Sequence, residues 1–144
     1  MDHVAQNAAA RQRILDLVQG MTQQQLHAPL PGGWTVAAEL AHLAFWEGVH
    51  VGRLRRALAE GLPTPAPMPE GLPDLINDAA LPGWRAIPGG VAPGLFAEAS
   101  AEADAYLATL DAATVERVRA GGAQRLVERF RHRTEHGDAI AAAR

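Results

Sequence analysis

The segment Arg129-Phe-Arg-His132-Arg-Thr-Glu-His136-Gly-Asp-Ala-Ile140 places two histidines four residues apart in a stretch without proline. On a helix, residues i and i+4 lie one above the other on the same face. Two imidazoles so placed can each point a nitrogen at one metal ion, as His-x-x-x-His pairs do in zinc enzymes. A pair supplies half of a tetrahedral site. A further ligand has to come from another element.

The 144 residues suggest one domain, residues 1–144, long enough to bury a core without staples. There is no cysteine, which excludes disulfides and thiolate metal sites. A transition-metal site must therefore use His, Asp and Glu. All thirteen basic residues are arginine, and the formal net charge of −3 offers no global attraction to nucleic acid or to an anionic membrane. No basic patch followed by an apolar run opens the chain, and no apolar run approaches a bilayer span. A soluble cytoplasmic protein is expected. Alanine is abundant, β-branched residues are sparse and no period-two alternation stands out, so the fold class reads as all-α.

In chain order, a first helix is expected from Asp2, a natural cap, to Val18, with Ala8, Ile14, Leu15 and Val18 on its apolar face. A short turn opened by Thr22 follows, and Pro29, Pro31, Gly32 and Gly33 forbid regular structure after it. Thr35 opens a second helix that ends near Glu60 before Gly61, with Val36, Leu40, Leu43, Leu54 and Leu58 on one face and His42 at its edge. Between Gly61 and Gly94 lie eight of the ten prolines, with one helical turn at 74–80 and Trp84 as an anchor on the bundle. So long a connection suits a lid, a binding loop or a crossover. A third helix spans about Leu95 to Leu110 through Leu95, Ala99, Ala103, Tyr106 and Leu110. Asp111 caps a second short turn, Gly121-Gly122 breaks the chain, and a fourth helix covers Ala123 to Ala142 with Leu126, Phe130 and Ile140 inward. Thr22, Gly32-Gly33 and Glu39 recur as Asp111, Gly121-Gly122 and Glu128 at an offset of 89 residues, a faint internal echo of two helix pairs.

His42 on the second helix, with His132 and His136 on the fourth, makes a three-imidazole set of the kind helical bundles build from facing helices. Three neutral imidazoles leave one position open, the mark of a catalytic rather than structural site, and suit Zn²⁺, Ni²⁺ or Fe²⁺. The run Gly33-Trp-Thr-Val-Ala-Ala-Glu-Leu-Ala-His42-Leu-Ala-Phe-Trp-Glu47, together with Phe130 to Ile140, resembles the DinB/YfiT-like superfamily of metalloproteins. That superfamily includes the metal-binding domain of mycothiol-dependent maleylpyruvate isomerases. The resemblance implies a four-helix bundle of up-down-down-up type with the proline-rich crossover between the second and third long helices. It implies His42, His132 and His136 as ligands of a divalent transition metal, Zn or Ni before others. It implies a small-molecule substrate, a low-molecular-weight thiol among the candidates, and a homodimer. The C-terminal domain of the isomerases has no counterpart here, which argues against their particular reaction.

Other polar residues have plainer expectations. His50, two turns past His42, can line the same cavity or simply face solvent, and the second is favoured. Glu39 and Glu135 can orient an imidazole or simply pair with arginine on the surface, and the second is favoured. Phe45 and Trp46 are core or cavity wall. Arg53, Arg55 and Arg56 can meet an anion or offset a helix dipole. His132-Arg-Thr-Glu135-His136 also fits the inverted zinc-protease signature, but only eight residues follow His136, too few for its downstream acidic ligand. A non-catalytic binding module, or a degenerate site on a dimerising fold, remains the alternative to an enzyme.

Overall fold

A computed structural model describes residues 2–144. Among these there are helices, turns and one isolated bridge between Pro29 and Thr35, and no strand. The helices are α1 His3–Val18, α2 Gln23–Leu26, α3 Val36–Ala59, α4 Leu72–Ala86, α5 Ala92–Ala108, α6 Ala112–Ala120 and α7 Phe130–Ala142. Single 3₁₀ turns lie at Pro31–Gly33 and Gln124–Leu126. The long helices α1, α3, α5 and α7 pack on one another, and α4 lies against α3.

Local chemistry sets most boundaries where the sequence puts them. Asp2, Thr22, Thr35 and Asp111 each accept a hydrogen bond from the backbone N–H three residues on, which satisfies donors that a helix start leaves open. Gly61, at φ +77°, closes α3. Its N–H reaches Leu58 O and that of Leu62 reaches Ala57 O, the paired bonds of a Schellman stop.

Three expected elements differ. The turn at 74–80 is a full helix, α4, from Leu72 to Ala86. Pro82 reads as a terminator, but it and Asp78 one turn earlier are exposed, so the carbonyl that Pro82 cannot partner meets water. Trp84, buried against Ala38 and Ala41, holds the helix end on α3. On α5 the buried stripe is Ala92, Phe96, Ser100, Ala103 and Leu107; it keeps Ala103 of the expected stripe but runs through the neighbours of Leu95, Ala99 and Tyr106, and Leu95 is exposed. Ser100 disguises it: its hydroxyl donates to Phe96 O at 2.6 Å, so a polar residue sits in the core already satisfied.

The expected fourth helix is the third difference, since α7 begins only at Phe130. Asn7 of α1, buried, accounts for the break. Its side chain donates to Val127 O at 2.9 Å and accepts from Phe130 N–H at 2.8 Å. The α7 start thus takes its cap from a residue far away in sequence. Phe130 is only half buried, and the buried face of α7 runs through Arg133, Gly137 and Ile140.

Two apolar clusters form the main core. One joins Ile14, Val18, Leu40, Leu43, Phe96 and Ile140; the other joins Leu54, Leu107, Val115, Val118 and Val127. In the bundle interior lies a charged group. Glu47 of α3 is fully buried; its two oxygens accept from Arg129 Nε at 3.1 Å and Arg133 Nε at 2.9 Å. Arg133 also donates to Asn7 O and to the Asp104 carboxylate. Removing Glu47 leaves two guanidiniums without their carboxylate in a low-dielectric interior. Glu47→Ala is expected to cost about 3–5 kcal/mol of stability, read as a lower urea midpoint, and Glu47→Gln, which keeps one acceptor oxygen, less.

Candidate metal centre

The continuous burial of α3 from Val36 to Leu43 carries His42 into the bundle. Its ring meets Trp34 and Trp84 edge-on, at centroid distances of 5.2 and 5.1 Å. On α7 the four-residue spacing sets His132 and His136 edge to face, with centroids 4.6 Å apart. His42 lies 5.1 Å from the first ring and 4.4 Å from the second. One nitrogen from each of the three falls within 4.8 Å of the other two, so the group can hold a metal ion.

The donor set fits a small divalent ion. His42 Nε2 and His132 Nε2 are 3.1 Å apart; two nitrogens bound to one tetrahedral zinc lie about 3.3 Å apart at normal bond lengths. The Nδ1 hydrogen of His136 is donated to the buried carboxylate of Glu39, which leaves Nε2 for the shared centre. That carboxylate–imidazole pairing orients a metal-binding ring. His132 Nδ1 lies 3.3 Å from Arg129 Nη2, and His42 Nδ1 is buried without a partner among the described residues.

Two of the imidazoles, His42 and His132, are also held neutral, as ligation requires. Burial first, then the neighbouring His136, pushes the His42 pKa down to about 3. Burial, then His136 and the Arg129 guanidinium, lowers His132 as well. Over the three rings opens a cavity of about 280 Å³, walled by Trp34, Trp46, His50 and Asn77. Asn77, on α4, accepts from Trp46 Nε1 at 2.8 Å and ties α4 to this wall.

Residues 6–143 match the family model described as the DinB superfamily. The chain belongs to the DinB superfamily. No curated protein and no solved structure matches it.

For this DinB-superfamily chain the structure brings together all three histidines named from the sequence. Two neighbouring expectations are corrected. Glu39 is buried and holds His136 instead of pairing with a surface arginine; it sits one turn before His42 on α3, so it comes inward with that histidine. His50 does not face open solvent. It stacks on Trp46 at 5.2 Å and lines the cavity, and burial and Arg129 push its pKa down to about 3. Glu135 does pair with a surface arginine, Arg125. Arg129 and Arg133 were missed because arginines on a polar helix read as solvated. Their spacing of four, interleaved with the histidine pair, was the available signal. Among the described residues no helix is long and apolar enough to cross a membrane.

The depressed imidazoles have a pH consequence. His42 and His50 bind no proton in the folded state until about pH 3, whereas in the unfolded chain they titrate near pH 6.5. Above that value neither state is charged and their contribution is constant. Below it the unfolded chain takes up protons that the folded one refuses. Metal-free protein is expected to lose stability as pH falls from 6.5 towards 3, by up to about 1.4 kcal/mol per unit for each histidine. Urea midpoints across this range, in wild type and His50→Phe, check it; the variant should show the shallower slope.

Proposed function

We propose that the protein is a metal-dependent enzyme whose divalent ion, zinc or nickel, is held by His42, His132 and His136. Its substrate is a small molecule, with a low-molecular-weight thiol as co-substrate or reactant, and the reaction is a transfer, an isomerisation or a hydrolysis. The observation that carries this is the convergence of three imidazoles at a cavity that all three line. A bound ion supplies Lewis acidity there, which favours the ionised form of a thiol or water beside it.

The chain's own residues do the rest. Glu39 fixes the tautomer and tilt of His136. Trp34 and Trp46 wall the rings and limit water. His50, with a pKa near 3, is a weak base at neutral pH and serves to hold a ligand by hydrogen bonding rather than to take its proton. The same reading takes residues 1–144 as one bundle domain in up-down-down-up order, crossing over through the proline-rich segment and working as a cytoplasmic homodimer.

A second reading, a non-catalytic module that binds metal or a small ligand, is favoured by one observation. None of the imidazoles whose shift is resolved at the cavity has a pKa near neutrality. Two experiments separate the readings. Elemental analysis of purified protein is expected to find about one divalent ion per chain, lost in His136→Ala; Glu39→Ala should weaken it about 10–100-fold. Metal-free wild type, or full metal in His136→Ala, would count against the site. Thiol-dependent turnover of electrophiles that stops on chelation supports the enzyme. A metal-loaded protein inert across such a screen supports the module.

A further inference from the structure

Beside the metal cavity lies a second chamber of about 350 Å³. The two share His50, Pro73 and Arg125 as walls, so they adjoin across His50. The outer chamber is built by the proline-rich segment after α3. Arg53 donates to Ala66 O and holds that segment down. Thr64 packs so closely on Gly121 that a Cβ there would come within 2.7 Å of its methyl carbon. The crossover is therefore seated against the α6 end, with the chamber open to solvent between them.

Its lining is distinctive in charge and polarity. Pro65, Pro67, Met68 and Leu126 give apolar walls, and no acidic side chain lines it. Two guanidiniums do, Arg53 and Arg125. Arg53 spends one donor on Ala66 O and keeps others. Arg125 pairs with Glu135 at 3.0 Å, but both side chains are more than half exposed, so that pair is weak and exchangeable.

We propose that this chamber binds the non-reacting end of the substrate: an apolar body ending in an anionic group, most simply a carboxylate, received by Arg53 and Arg125 while the other end reaches the three histidines. The proposal rests on the metal reading above. It makes His50 the threshold between the two ends and gives the crossover a role in selecting substrate. An apolar wall sets which body fits, and the two arginines set the charge that completes it.

The test uses cobalt(II)-loaded full-length protein and ω-mercaptoalkanoates from mercaptoacetate to mercaptooctanoate. Each is compared with the ω-mercaptoalkanol of equal length. Binding is read from the thiolate-to-cobalt charge-transfer band. At the length that spans the two chambers, the carboxylate is expected to bind at least about tenfold tighter than the alkanol, a margin that shrinks with salt. Arg53→Met and Arg125→Met are each expected to cut that margin to about threefold or less, with the alkanol titration as the control for folding and metal. Equal binding of carboxylate and alkanol at every length overturns the proposal alone. So does a margin undiminished in both variants, which would place the anion elsewhere. Cobalt that does not bind overturns the metal reading, and this inference with it.

Discussion

Glu47 touches both Arg129 and Arg133, and through them it sets how α3 sits against the chain that leads into α7. Those two segments carry the three imidazoles. The arginines are four residues apart, and so are His132 and His136, offset by three. One row of the helical ladder is thus fixed by a carboxylate and the next row faces His42. If α7 slid by a turn, Glu47 would lose its Arg133 partner and the histidine pair would lose its alignment with His42 together. Such an ion group is weak evidence for stability, because desolvation offsets much of its attraction. Its contribution here is register. Arg133 extends the same network to Asn7 on α1 and Asp104 on α5, so all four long helices are keyed to one polar centre.

The site borrows from this centre. Burial, and the Arg129 guanidinium in a medium that screens poorly, disfavour an imidazolium at His42 and His132. Burial raises Asp104 and lowers Arg129, with Arg133 and Glu47 respectively opposing the shift. The histidines have no such local counterion except Glu39 beside His136. The result is a nitrogen cluster beside a charged but internally balanced group, a suitable setting for an ion that carries positive charge of its own.

Residue spacing made much of this legible. Caps at Asp2, Thr22, Thr35 and Asp111 are short-range chemistry, and each sits where side-chain type and position require. The three histidines were recoverable because two share a helix face and the third lies in a motif with a recognisable resemblance. What stayed hidden depends on partners distant in sequence. Ser100 looks like a surface residue until its hydroxyl is seen to bond its own helix. Pro82 looks like an end until its neighbour is seen to be wet. Glu39, His50 and Arg133 look solvated because polarity alone does not say which polar residues meet one another inside. The start of α7 is the extreme case, since nothing within that segment marks Phe130 as a beginning.

Asn7 clasps Val127 and Phe130 across about five-sixths of the chain. During synthesis the residues that form α7 emerge long after α1 is available. A nascent chain can hold His42 on a formed helix and still lack two nitrogens with a fixed address. In the proposed reading, capture of a cation by all three imidazoles waits until α7 has formed. A truncated or stalled product would have no means of capturing one.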